Sequence, residues 1–232
     1  MSARFEELDY VETPMGAISL RRRLDPVLAV DVFEVKLGDE FLMSSLFTVA
    51  EIELATLGLA ASTAEKITVL NGGLGLGYTA RAALDDARVT ALTVVDAVQT
   101  VVDWHERRLL PVSDALLDDP RTTLVTDDFF ALMRRDPAVT YDVILLDVDH
   151  SPHHFLNPSH ADLYEVEGLA RMKRHLAPGG VFALWSDDPP EDAFTARLAQ
   201  VFDQASGHLV RFANALTGGE STNGVYVARG PR

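Results

Sequence analysis

The sequence predicts an α/β protein: a mostly parallel sheet with helices on both faces, closed by a C-terminal antiparallel hairpin and preceded by a small N-terminal β segment. Three observations carry that expectation. After Ala64, apolar segments of strand and helix character alternate strictly. Two of the strands, Leu-Thr-Val-Val at 92–95 and Val-Ile-Leu-Leu at 143–146, are apolar on both faces, as buried parallel strands are. The first strand of the alternation runs directly into a glycine-rich turn and then a helix, which is a Rossmann-like arrangement.

Taken in order, residues Tyr10 to Met43 alternate apolar and polar side chains between turn signals at Pro14-Met15-Gly16, Asp25-Pro26 and Gly38-Asp39. That pattern predicts three short antiparallel strands within a segment spanning 1–47. Arg21-Arg22-Arg23 reads there as a solvated strand face. The α/β domain follows over 48–232. Val49, Ile52, Leu54, Leu57 and Leu59 recur near helical spacing, and Thr48 with Glu51 three residues on reads as a capping box opening a helix through Ala61. The alternation then predicts strand 66–71, helix 79–84, strand 89–96, helix 97–109, strand 122–125 and helix 129–134. It continues with strand 143–147, helix 161–175, strand 181–186 and helix 194–205. Trp104-His105 reads as packing and surface. Two last strand-like runs, 208–215 and 224–228, flank a polar Thr-Gly-Gly-Glu-Ser-Thr stretch and predict the closing hairpin.

Composition narrows the function. The 232 residues include 20 Lys and Arg against 35 Asp and Glu, a net charge of −15, which argues against nucleic acid or an anionic membrane surface as partner. No run of 18 apolar residues occurs, so no transmembrane helix is expected, and the first thirty residues hold no signal-like apolar run. Cysteine is absent, which excludes disulfides and thiolate metal sites and is compatible with a cytoplasmic setting.

The candidate site gathers at the strand ends. Ile67-Thr68-Val69-Leu70 leads into Asn71-Gly72-Gly73-Leu74-Gly75-Leu76-Gly77, so Gly72, Gly73, Gly75 and Gly77 occupy the first strand-to-helix turn, where backbone can approach a nucleoside closely. The dinucleotide fingerprint G-x-G-x-x-G would need glycine where Tyr78 stands, and G-x-G-x-G fits instead. Nineteen residues past Gly77, Asp96 ends the second strand, where a carboxylate can accept from both ribose hydroxyls. The alternative is that the glycines serve packing and Asp96 caps a helix. Asp127, at the end of the third strand, can accept from an adenine amine or cap the helix that follows. The fourth strand delivers Asp147 to the carboxyl edge of the sheet, where it can act as general base or counter-ion to a cation. Asp149 and His150 in the loop beyond it complete the candidate catalytic set. His150, His153 and His154 invite a metal reading, but no helical H-x-x-x-H pair supports one, and no metal is expected.

These residues resemble the spermidine synthase family of aminopropyltransferases, and more closely its spermidine synthase-like members of undetermined activity. The resemblance runs from about Asp39 to Ala228. It is carried by Asp39-Glu40-Phe41, the turn from Gly72 to Gly77, Asp96, Asp127, Tyr141-Asp142-Val143-Ile144 leading to Asp147, and Leu176-Ala177-Pro178-Gly179-Gly180-Val181. The Pro-Gly-Gly is shared with S-adenosylmethionine methyltransferases, so the implied fold is of the class I methyltransferase type. The resemblance also implies that Asp96 holds the ribose, Asp127 the adenine amine, and that Asp147 serves the attacking amine. It implies decarboxylated S-adenosylmethionine or S-adenosylmethionine as co-substrate, a small-molecule amine as acceptor, and a homodimer built partly through the N-terminal strands.

Departures from the family pattern bear on substrate. Where the family turn GGGDGG carries an acid that pairs with the free amine of the decarboxylated donor, this chain has Leu74. A leucine neither pairs with an ammonium nor repels the carboxylate of ordinary S-adenosylmethionine. The Tyr-Gln after DEF is replaced at Met43 and Ser44, the DSSDP loop has become Asp147-Val148-Asp149-His150-Ser151-Pro152, and a Tyr-Pro element is missing around Leu216. The diamine pocket reads as dismantled. The leading expectation is transfer of an aminopropyl or related alkyl group from an adenosyl-sulfonium to an amine, with Asp147 as base. A methyltransferase and a non-catalytic nucleoside-binding protein are the alternatives.

Overall fold

The structure, a computed structural model, describes residues 5–13 and 16–231; Pro14 and Met15 of the first expected turn lie outside it. β1 (Phe5–Thr13), β2 (Gly16–Leu24), β3 (Asp31–Leu37) and β4 (Glu40–Ser44) form an antiparallel sheet in chain order. Four strands stand where three were expected, because the segment before the first turn is itself a strand. Its acidic start at Phe5-Glu6-Glu7 obscures the alternation. Arg21 and Arg23 are not a solvated face: both reach the buried Glu34, at 2.7 and 2.8 Å, and Arg23 also reaches the buried Asp25 at 3.0 Å. Arg22 pairs with Glu6 at 2.6 Å.

α1 (Val49–Ala61) opens the α/β part, and the expected capping box is not made, since Thr48 caps nothing with its side chain. There follow β5 (Ile67–Gly72), α2 (Tyr78–Leu84), β6 (Val89–Asp96), α3 (Gln99–Glu106), α4 (Ser113–Leu117), β7 (Thr122–Thr126) and α5 (Phe129–Arg134). Then come β8 (Tyr141–Leu146), a 3₁₀ helix (Pro158–Tyr164), α6 (Val166–Lys173), β9 (Leu176–Ser186), α7 (Asp192–Leu198), β10 (Phe202–Asn214) and β11 (Gly219–Pro231). The expected helix 161–175 is divided at Glu165, whose backbone is extended. The expected helix 194–205 stops at Leu198 because Phe202 is drawn into a long ladder with β11 and buried there. Tertiary pairing overrides the apolar spacing at that point.

The seven strands lie in the order β10-β11-β9-β8-β5-β6-β7, parallel from β9 to β7 and antiparallel at the β11 and β10 end. Successive residues of the central strands enter opposite cores. Val69, Leu145 and Ala183 join α1, α2, α3 and the N-terminal sheet; Leu70, Leu146 and Leu184 join α5, α6 and α7. This is why those strands are apolar throughout. From β5 the chain passes to β6 and β7 on one side and to β8 and β9 on the other, which makes β5/β8 the switch point where ligands of such sheets bind. Among the described residues no helix is long and apolar enough to cross a membrane.

Candidate functional site

At the end of β5 the glycine turn and the β8 loop are stitched together. The Asp147 N–H donates to Gly72 O at 2.8 Å, and a Cβ on Gly73, at φ +92°, would lie 2.0 Å from the Asp147 carbonyl oxygen. Only glycine permits this approach. Gly77 likewise has φ +89°, and a Cβ there would meet Val112 and His105. The Gly75 carbonyl accepts from His105 Nε2 at 2.9 Å. Since a carbonyl only accepts, that nitrogen carries the proton, and Nδ1 faces the Ser113 hydroxyl at 3.2 Å. Burial pushes the His105 pKa down, which keeps the ring neutral. His105 is therefore a buried strut of the turn, not the surface residue expected, and Trp104 beside it is buried and donates to Asp9 at 2.8 Å.

Asp96 closes the turn from the other side. Its two oxygens accept from Leu74 N and Val98 N, each at 2.8 Å. Burial raises its pKa against the pull of those N–H groups. The Gly75 N–H also acts on it, and since an ionised carboxylate has about four acceptor positions, one is left for a ligand's hydroxyl. Asp127 is half-buried at the end of β7, held low in pKa by Arg135, which it meets at 2.8 Å. The cap of α5 is Asp128, which accepts from Phe130 N and Ala131 N at 2.8 and 3.1 Å.

A cleft open to solvent runs along this edge. The glycine turn and Tyr78 line it on the β5 side, with Met43 of β4 against Gly75; Val148, His150 and Leu156 of the loop after β8 and Trp185 of β9 line it on the other side, and Leu42 of β4 lines it too. Asp147 stands between them, joined by Glu51 of α1. The Thr79 hydroxyl donates to Asp147 at 2.7 Å. Burial pushes the Asp147 carboxyl up to about 6, against that hydrogen bond. Burial together with the charge of Asp147 pushes Glu51 up to about 8. Near neutrality the pair therefore holds one proton and one negative charge.

The two other catalytic candidates are placed differently. Asp149 is 1% exposed and does not line the cleft. It accepts from Leu156 N, His160 Nδ1 and the Tyr164 hydroxyl at 2.8, 2.8 and 2.7 Å, which ties the loop after β8 to the 3₁₀ helix. His150 does line the cleft, with Nε2 3.3 Å from Glu40 at the start of β4. His153 turns away to Glu191 at 3.0 Å. Among the described residues no three metal-binding side chains gather in a group that could hold an ion.

Glu51, Thr79, His105 and Trp185 were not legible as site residues. Glu51 was masked by its capping-box position. Trp185 carried a usable signal, since it sits at the carboxyl end of the strand after Asp147, where parallel sheets bind ligands.

Residues 48–209 match the profile of the spermine/spermidine synthase domain. Polyamine aminopropyltransferase 2 of Pseudomonas aeruginosa is 33% identical over 146 residues, covering 60% of this chain and 41% of that protein. Putrescine N-methyltransferase 2 of Nicotiana tabacum is 30% identical over 117 residues, covering 50% of this chain and 31% of that one. The matched region thus spans less than half the length of these relatives. A solved spermidine synthase in complex with the transition state analogue AdoDATO has the same fold, with a TM-score of 0.76 at 20% identity over 96% of this chain and 73% of that chain. With the domain match covering most of its length and the methyltransferase-type sheet in place, this chain belongs to the spermine/spermidine synthase family.

Proposed function

We propose that the protein transfers an aminopropyl or related alkyl group from an adenosyl-sulfonium co-substrate, decarboxylated S-adenosylmethionine or S-adenosylmethionine, to a small-molecule amine. The observation that carries this reading is Asp147: a carboxyl with a raised pKa at the β5/β8 switch point, in a cleft whose facing wall is a glycine turn. Gly72, Gly73, Gly75 and Gly77 let backbone close on the nucleoside, Asp96 takes a ribose hydroxyl and Asp127 the adenine amine. The acceptor arrives as an ammonium. Asp147, ionised above about pH 6, removes its proton and is a stronger base than a solvated carboxylate would be. The freed lone pair attacks the carbon bonded to sulfur. As the C–N bond forms, the C–S bond breaks, its electron pair passes to the sulfonium, and a neutral thioether leaves. His150 borders the acceptor side, and Asp149 acts by holding the loop that carries it.

A homodimer and a cytoplasmic location belong to the same reading. The first is supported by the exposed Phe5, Tyr10 and Phe41 on the N-terminal sheet, the second by the cysteine-free composition. Methyl transfer is the second reading, favoured by Leu74, which lines the cleft without a charge, and by the likeness to a putrescine N-methyltransferase. Calorimetric titration with ordinary and decarboxylated S-adenosylmethionine decides the donor. Tighter binding of the decarboxylated form supports aminopropyl transfer, tighter binding of the ordinary form supports methyl transfer, and binding of neither overturns both.

A further inference from the structure

We infer that the acceptor is a primary amine with one positive charge and an apolar body, an alkylamine or arylalkylamine rather than a diamine. This rests on the transferase reading and specifies its acceptor. The sheet order sets the direction: with the donor over the glycine turn of β5, an amine at Asp147 extends its remaining atoms toward the end of β9. The apolar wall it meets there is Val148, Leu156 and Trp185. Such a wall favours methylenes or a ring.

Charge counting points the same way. Among the described residues the carboxyls lining the cleft are Glu51 and Asp147, both at the reacting end. Because they share a proton near neutrality, they offer one negative charge for one ammonium. A second ammonium farther along would need its own acid. Asp149 is buried and occupied by three donors, while Asp187 and Asp188, just past the end of β9, lie outside the lining and are solvent-exposed. Glu40 lies outside the lining, is solvent-exposed and is bound to His150. An exposed acid of that kind holds a cation weakly. His150 itself carries no negative charge in any protonation state. The distal ammonium of a diamine would thus leave water for an apolar wall without a partner, which is unfavourable.

The test is calorimetric titration of the full chain, saturated with methylthioadenosine at pH 7.5, with hexylamine and with 1,4-diaminobutane. Hexylamine is expected to bind at least about tenfold tighter, the worth of roughly two buried methylenes. Trp185→Ala should remove most of that preference while leaving methylthioadenosine binding intact. If that variant does not fold, Leu156→Ala serves in its place, with a smaller loss. Tighter binding of 1,4-diaminobutane overturns the inference. So does a failure of both amines to bind a protein that still binds methylthioadenosine, an outcome that leaves the donor reading standing. Failure to bind methylthioadenosine defeats the transferase reading itself, and the acceptor inference with it.

Discussion

Asp147 and Glu51 occupy one cleft but release their protons in sequence, and this order has consequences for both rate and stability. Asp147 ionises first, near 6, so the rate is expected to rise with pH through that value as the base becomes available. Asp147→Asn keeps the shape and removes the base. It should lower kcat by roughly 10²- to 10⁴-fold while donor affinity, read by calorimetry, changes little. Stability has the opposite slope. An unfolded chain ionises both carboxyls near 4, whereas the folded chain retains their protons to about 6 and about 8, so the folded state binds more protons in between. The pair's contribution is complete below about pH 4 and is lost as pH rises through 6 and then 8. Differential scanning calorimetry should show Tm falling from pH 6 to 9, and Glu51→Gln should flatten that part of the profile. An unchanged slope in the variant would remove Glu51 from the coupled pair.

At the scale of elements, the site depends on two loops held closer than side chains allow. A Cβ on Gly73 would sit 2.0 Å from the Asp147 carbonyl and would demand a left-handed backbone of an ordinary residue. Backbone strain of about 1–2 kcal/mol and overpacking of about 1–3 kcal/mol add to roughly 2–5 kcal/mol for Gly73→Ala. For a chain of this size that is a fall in Tm of roughly 4–20 °C. Activity should fall further than stability implies, since the shift displaces Asp147 itself. A variant that kept wild-type kcat would show that the approach of the two loops is not needed for the chemistry.

Across the whole molecule, the N-terminal sheet is part of the site's wall. Ile18, Leu20 and Val35 pack into the same core as α1 and α3, and Leu42 and Met43 reach the cleft. The sheet is also tied down by Asp9, which accepts from the buried Trp104 at 2.8 Å and from Arg107 at 2.6 Å. Asp9→Ala leaves the indole N–H unpaired and should cost about 1–3 kcal/mol. Because Glu40 of that sheet meets His150 while Met43 packs against Gly75, amine affinity should weaken more than nucleoside affinity. Equal loss of both in a calorimetric comparison would show that the sheet steadies the whole cleft instead of its acceptor side.

What the sequence determined by itself was whatever short-range pattern encodes. Strand-helix alternation, doubly apolar strands, the glycine turn and the acids at strand ends are each legible within a few neighbouring residues, and they locate Asp96 and Asp147 at the carboxyl edge. What only the tertiary structure decided were partnerships between residues far apart in the chain. Glu51 acts on Asp147 across four strands and four helices of sequence, His105 reaches back to Gly75, and Asp149 is enclosed by Leu156, His160 and Tyr164. An acid at a strand end reads the same in sequence whether it faces a ligand or three donors. Whether it is solvated, shares a proton or is spent on its own loop depends on burial and on which groups the packing brings within about 3 Å of it.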